Sequence, residues 1–152
     1  MQDLGENGET ITLDASGNVL ERAFAGVVAA RPLSAPSHRA AWRSSSPATD
    51  SGYAIVAGGG AKNLPDPPSG DQPTGDGSVS ALQFDLGDLA PGAEGWAGVA
   101  FAHHADPGAG ATALSALSSY AGAKGPKELL DAEVAEWAAF QASLTVPAGL
   151  SA

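Results

Sequence analysis

Val79-Ser80-Ala81-Leu82-Gln83-Phe84-Asp85-Leu86 is followed, across Gly87-Asp88-Leu89-Ala90-Pro91-Gly92, by Gly95-Trp96-Ala97-Gly98-Val99-Ala100-Phe101-Ala102-His103-His104. The first run sets Val79, Ala81, Gln83 and Asp85 opposite Leu82, Phe84 and Leu86, the period of two that belongs to a strand. The second sets Ala97, Val99, Phe101 and His103 on one face. Trp96, Gly98, Ala100, Ala102 and His104 form the other, which is mostly small, so a further layer can approach it closely. With turn residues between them, the two runs predict a long antiparallel hairpin.

Working outward toward the N-terminus, Thr10-Ile11-Thr12-Leu13 is a short β-like run, and Asn18 to Ala30 holds one or two strands through Val19, Leu20, Ala23, Phe24, Val27 and Val28. Pro32 and Pro36 stop regular pairing, because proline has no ladder donor. Ala40 to Arg43, with Trp42, and Gly52 to Ala57 are the next strand candidates. Residues 58–78 read as a flexible Pro/Gly/Asp loop with one large apolar residue, Leu64. In it Asp66-Pro67-Pro68-Ser69-Gly70 is echoed by Asp71-Gln72-Pro73-Thr74-Gly75, and Asp76-Gly77 begins a third copy. A calcium loop is the chemical alternative, but five-residue spacing is not the alternate-residue spacing that such loops use.

Toward the C-terminus the period changes. Asp106-Pro107 reads as an N-cap followed by proline at the first helical position. Ala113, Leu114, Leu117, Tyr120 and Ala121 then recur at helical spacing until Gly122 and Gly125. Pro126 opens a second helix, where Leu130, Val134, Trp137 and Leu144 share a stripe with Ala138 and Gln141. Glu128, Glu133 and Glu136 point mainly elsewhere and suit the early turns. Strands therefore come first and helices last. This predicts a mainly β protein, an antiparallel β-sandwich followed by two C-terminal α-helices, with residues 1–104 in the sandwich portion and 105–152 in a helical linker.

Composition narrows the function classes. Alanine supplies 32 residues, half of the 43% apolar fraction, and Leu, Ile, Val and Phe total only 28 of 152. Large core side chains are scarce, so the stability margin is thin and the chain reads as part of a larger assembly. Seven Lys and Arg against 17 Asp and Glu give a formal charge of −10. No basic patch exists to displace counterions from a phosphate backbone, so no nucleic-acid partner is expected. No apolar run is long enough to cross a bilayer, so no membrane insertion is expected. Residues Met1 to Glu9 contain neither a basic n-region nor an apolar h-region, so they do not read as a signal peptide. The absence of cysteine removes disulfides, thiolate nucleophiles and cysteine-held metal.

The chemical candidates reduce in the same way. Gly58-Gly59-Gly60-Ala61-Lys62-Asn63 follows a strand candidate, yet it lacks the Lys-Ser/Thr pair of a phosphate loop, and Pro65, Pro67 and Pro68 prevent the helix that must follow. His103 and His104 point to opposite faces of a strand, so one metal ion cannot readily take both. No Gly-x-Ser-x-Gly elbow occurs. Glu128, Glu133 and Glu136 on one amphipathic helix read as a solvated face. No catalytic residue, metal site or cofactor is predicted. Trp42 and Trp96 are the candidates for stacking on sugar rings, against the alternative of core packing.

The passage from Val79 to Ala102 resembles the last strands of the N-terminal β-sandwich in bacterial glucoamylase-like glycoside hydrolases of family 15. Leu129-Leu130-x-x-Glu133-x-x-x-Trp137-x-x-Phe140 and Val146-Pro147-Ala148-Gly149-Leu150-Ser151 are similar to the linker from that sandwich into the helical barrel. Gly52 to Gly60 is similar to one of its strands. The likeness spans about residue 50 to residue 152. It implies a non-catalytic portion of a carbohydrate-active enzyme whose catalytic glutamates would lie in an (α/α)6 barrel beyond Ala152, and an extracellular or periplasmic setting. Leu130, Val134, Trp137 and Phe140 are then the expected docking stripe for a catalytic barrel. A stand-alone module binding polysaccharide through Trp42 or Trp96 is the first alternative. Self-association through unpaired strand edges is the second.

Overall fold

A computed structural model describes residues 9–23, 25–43, 62–72 and 78–144, without the side chains of Trp42, Arg43 and Ser78. Among these, β1 (Thr10–Leu13), β2 (Val19–Ala23), β3 (Gly26–Pro32), β4 (His38–Arg43), β5 (Gly70–Gln72), β6 (Ser78–Gln83) and β7 (Val99–His104) precede α1 (Gly110–Ala121) and α2 (Pro126–Ser143). All pairings are antiparallel. The strands form a five-stranded sheet in the order β5-β1-β2-β3-β7 and a two-stranded sheet of β4 and β6. The architecture is the expected antiparallel, sandwich-like fold followed by two helices.

The five-stranded sheet carries a buried cluster on each face. On one, Leu20, Val27 and Ala29 meet Ala113 and Leu117 of α1, with Ala100 and Ala102 of β7 packed alongside. The small side chains on this face of β7 are what allow the helix to come close. Arg31 Nη1 also donates to Ser118 Oγ, which pins α1 to β3. On the opposite face Ile11, Leu13, Val19 and Ala30 pack against Ala41 and Leu82 of the two-stranded sheet. Glu9, just before β1, and Glu21 of β2 are also buried, Glu21 only 1% exposed and directly opposite Ile11 and Val28. Between β2 and β3, Gly26 takes φ +141°, and a Cβ there would stand 2.4 Å from the carbonyl oxygen of His104. Only glycine meets both conditions.

Several expectations need correction. The two runs around residue 90 are not a hairpin. β6 pairs with β4, whereas β7 pairs with β3 across Pro32↔Val99 to Val27↔His104. Residues 84–98 connect the two sheets instead of turning within one. Ser37 Oγ accepts from the Asp85 N–H and holds the end of β6 beside β4. Leu33 N donates to Gly98 O at 2.9 Å and draws the start of β7 to β3. The face of Val99, Phe101 and His103 is also not sealed, because a two-stranded sheet is too narrow to cover five strands. Phe101 is exposed beside a small cleft of about 140 Å³ that Phe84, Leu82 and Val19 share.

The Pro/Gly/Asp stretch is not structureless where it is described. Leu64 is buried, and β5 adds an edge strand beside β1. The two described aspartates of the repeat are anchors. Asp66 bonds to β4 and Asp71 Oδ1 accepts from Thr12 Oγ1 of β1 at 2.6 Å, so the segment ties the two sheets together. Asp106 does not cap α1. It accepts from Gly108 N at 2.8 Å in a preceding turn, and the helix begins four residues later, at Gly110 behind Ala109. Pro126 does open α2. The strand candidate at residues 52–57 and the glycine run at 58–61 lie outside the described residues.

Candidate functional site

The second helix is built to stand up with little help. Pro126 at its first position matches the fixed φ of a helix start, and Glu128 Oε2 accepts from the Gly125 N–H at 2.8 Å, satisfying one orphan donor. Lys127 Nζ pairs with Asp131 at 2.8 Å, the i,i+4 spacing that supports a helix. This pair, rather than any partner on the sheet, is what holds the Lys127 ammonium above its ordinary pKa. Eighteen residues at 1.5 Å each make a rod of about 27 Å.

Among the described residues, burial of that rod is confined to its base. Leu129 is 7% exposed and is the one residue of α2 that is fully buried among those described. From Glu133 to Leu144 every residue is exposed. The expected docking residues Leu130, Val134, Trp137 and Phe140 therefore all stand at the surface, Trp137 with 60% of its area exposed, and Leu144 continues the row. Spacings of four, three and seven from Leu130 through Val134 and Trp137 to Leu144 describe a narrow seam, with Gln141 filling the intermediate position. Such a seam is the pattern a helix offers to another helix.

Beside the foot of α2 lies a groove of about 530 Å³, lined by Leu33, Val99, Phe101, Leu117, Tyr120 and Leu130 among others. It joins the helix to β7, which is the outer strand of its sheet. Farther along α2, Glu133, Glu136, Trp137 and Phe140 line a shallower groove of about 320 Å³. The two aromatic rings meet edge to face, 5.8 Å between centroids and 89° between planes. Tyr120 of α1 reaches across and its hydroxyl donates to Glu133 Oε1 at 3.3 Å. The negative charge of Glu133, joined by Glu136, pushes the Tyr120 hydroxyl above its ordinary pKa. The helical spacing of Tyr120 read as core, yet the ring is exposed.

Of the two sugar-stacking candidates, Trp42 is paired in β4 with Val79, and its side chain lies outside the described residues. Trp96 is exposed, but Lys127 Nζ sits 5.7 Å from its ring centroid and its Nε1 donates to Glu94 at 3.1 Å. One face of this indole is thus occupied by a cation. The candidate sites are not brought together. Trp96 stands at the base of α2, whereas Trp137 and Phe140 stand along its free length.

A polar pocket of about 270 Å³ that the local sequence gave no reason to single out lies between Ser16, Ser37, His38, Arg39 and Asp66. His38 Nδ1 is 2.5 Å from Asp66 Oδ2, and Arg39 N donates to Asp66 Oδ1 at 2.8 Å. Asp66 adopts φ +50°, a left-handed conformation that aspartate tolerates better than most residues. The hydrogen bond from His38, followed by that from the Arg39 N–H, holds the Asp66 carboxyl below the usual carboxylate range. Beside this His–Asp pair the Ser37 hydroxyl oxygen accepts from Asp85 N. Arg39 Nη2 in turn reaches Ser69 Oγ at 3.0 Å. The hydrogen bonds of Asp66 and Ser69 at this pocket join the 62–72 segment to β4. The pair is 28 residues apart in sequence, which is why no local pattern announces it.

No group of three His, Cys, Asp or Glu side chains placed to hold a metal ion exists among the described residues. None of the described helices is long and apolar enough to cross a membrane. No family model, no curated protein and no solved structure matches this chain.

Proposed function

We propose that this chain is a non-catalytic accessory domain that docks on a partner through α2, and that the partner is the catalytic (α/α)6 barrel of a glucoamylase-like glycoside hydrolase. One observation carries the docking part: the apolar row from Leu130 to Leu144 stands exposed on a self-capped helix whose one buried residue among those described is Leu129, near its base. Contiguous exposed apolar surface of this kind marks an interaction site in a soluble protein. A seam of helix-to-helix spacing suits a helical partner. The glycosidase part rests on the likeness of residues 79–102 and 129–151 to the sandwich end and linker of that family. In this reading the domain has no active site of its own and helps shape one side of the substrate cleft.

Native mass spectrometry of the chain purified from the cells that make it, beside a denaturing spectrum, tests the proposal. A second polypeptide, or a covalent extension carrying a helical barrel, supports it, and activity on α-glucans should travel with that mass. Trp137→Ala should then abolish or sharply weaken association with a separate barrel chain. A lone folded monomer with no extension would sink the proposal. A second reading, self-association, is favoured by the position of β7 at the edge of its sheet with Phe101 exposed beside it. A formal charge of −10 on every copy works against it. Sedimentation at rising protein concentration decides, since edge pairing requires oligomers that grow with concentration.

A further inference from the structure

The geometry points to a socket for an arginine side chain of the docked partner in the groove that Glu133, Glu136, Trp137 and Phe140 line on α2. This inference rests on the docking reading and adds the chemistry of the partner's contact.

The four residues recur at three- and four-residue intervals, so they share one helical face. Trp137 and Phe140 meet at 89°, which makes an aromatic corner with two ring planes at right angles. Two carboxylates flank that corner within one turn. Among the described residues neither is paired with Lys or Arg, since the ion pair of this helix is Lys127 with Asp131, one turn nearer its base. The hydrogen bond that Glu133 does receive comes from the neutral Tyr120 hydroxyl, which leaves the charge uncompensated. Like charges this close on a helix are mildly destabilising. The face thus combines exposed π surface with unneutralised negative charge in a concavity of about 320 Å³.

A second copy of this chain fits that face poorly. It would bring its own carboxylates and a further formal charge of −10. A purely apolar partner would leave Glu133 and Glu136 desolvated without compensation. A guanidinium meets both demands, because it stacks flat on an aromatic ring while its fork of N–H groups reaches a carboxylate in two places. An ammonium offers a point charge and no plane, so it fits less well. Arginine is also the charged residue most often found among the few side chains that dominate an interface.

The test uses the intact chain and N-acetyl-arginine methylamide, with N-acetyl-lysine methylamide and N-acetyl-citrulline methylamide as comparisons. Citrulline keeps the planar shape of arginine and removes its charge. The indole N–H resonance of Trp137, assigned with Trp137→Phe, is followed through each titration. Saturable movement with the arginine compound is expected, at least fivefold weaker with either comparison, and absent in the E133Q/E136Q double variant. Asp131→Asn, on the same helix but outside the groove, should leave the titration unchanged. Far-UV circular dichroism checks that each variant remains folded, and both glutamates are exposed, so Gln is expected to be accommodated. Equal response to arginine and citrulline overturns the proposal, as does equal response to arginine and lysine, no saturation, or persistence in the double variant. Association with a barrel chain is measured separately through Trp137→Ala, so the socket can fail while docking stands, and docking can fail while the socket binds its probe.

Discussion

Trp137→Ala and Leu117→Ala should behave in opposite ways in the isolated chain, and the contrast tests the central claim that the α2 row is unpartnered. Leu117 is 5% exposed and lies between α1 and the sheet, among Ala29, Ala113, Ala100 and Ala102. Truncation to Ala removes three carbons, worth about 2.4 kcal/mol at roughly 0.8 per methylene. The alanine neighbours of Leu117 cannot reach into the space and Leu20, Val27 and Leu114 fill it only in part, so a cavity cost adds to this and about 3–4 kcal/mol is expected. With a urea slope of about 2 kcal/mol/M the midpoint should fall by about 1.5–2 M. That is a large share of the roughly 5–15 kcal/mol that holds a domain together. Trp137, with 60% of its area in solvent, should cost less than about 0.5 kcal/mol. Because Ala is the better helix former, helicity of α2 should hold or rise slightly. Urea unfolding followed by far-UV circular dichroism reads both variants. A midpoint loss for Trp137→Ala comparable with that for Leu117→Ala would mean that the indole is already covered within the chain, and the docking reading would be refuted.

Glu128→Ala removes the side chain that satisfies the Gly125 N–H, and should cost about 1 kcal/mol with visible loss of helical signal from α2; unchanged helicity would show that α2 does not depend on this cap. Gly26→Ala sets a Cβ against the His104 carbonyl at a φ that side chains rarely adopt, and should destabilise by about 2–3 kcal/mol, measured by the thermal midpoint. A shift within about 0.5 kcal/mol would contradict the close approach of β7 to the β2–β3 turn. Asp66 carries a pH dependence. Its carboxyl titrates below the usual range in the folded chain, so its contribution is present above the unfolded value near pH 4 and is lost as acid takes the pH down through the lower folded value. Asp66 is nearly half exposed, so solvent screening keeps the effect below about 1 kcal/mol. Urea midpoints of the wild type and Asp66→Asn should differ near neutrality and converge by about pH 2. A difference that persists in acid would mean that the anchor does not depend on the charge.

What a sequence reader can see here is what neighbours in the chain decide. Alternation of side chains identified most of the β1 to β4 region and both later strands, because the period of two is a local property of extended backbone. Proline marked the end of β3 at Pro32 and the start of α2 at Pro126 through its missing donor and fixed φ. The small face of Ala100 and Ala102 announced that another layer would lie close, and α1 does. The exposed row on α2 was legible for the same reason, since a stripe at helical spacing is visible in sequence whether or not anything covers it. Its emptiness was not legible. Tyr120 and Phe101 have the spacing of core residues and stand in solvent, because coverage depends on how wide the opposing layer is.

The sequence by itself determined most of the strands (though not β5), both helices, and that this chain carries few large side chains to bury. It could not determine which strand finds which. β6 and β7 are consecutive and separated by turn residues, yet each pairs with a strand far back in the chain, β4 and β3 respectively. The antiparallel ladder accepts any extended neighbour with a free edge, and the choice falls to burial on both faces at once. β7 beside β3 places Ala100 and Ala102 under α1, and β6 beside β4 places Leu82 over Ile11 and Val19. Asp66 and Asp71, alike in sequence, were assigned to different sheets by the same closure. Local chemistry writes the elements, while long-range burial selects their partners.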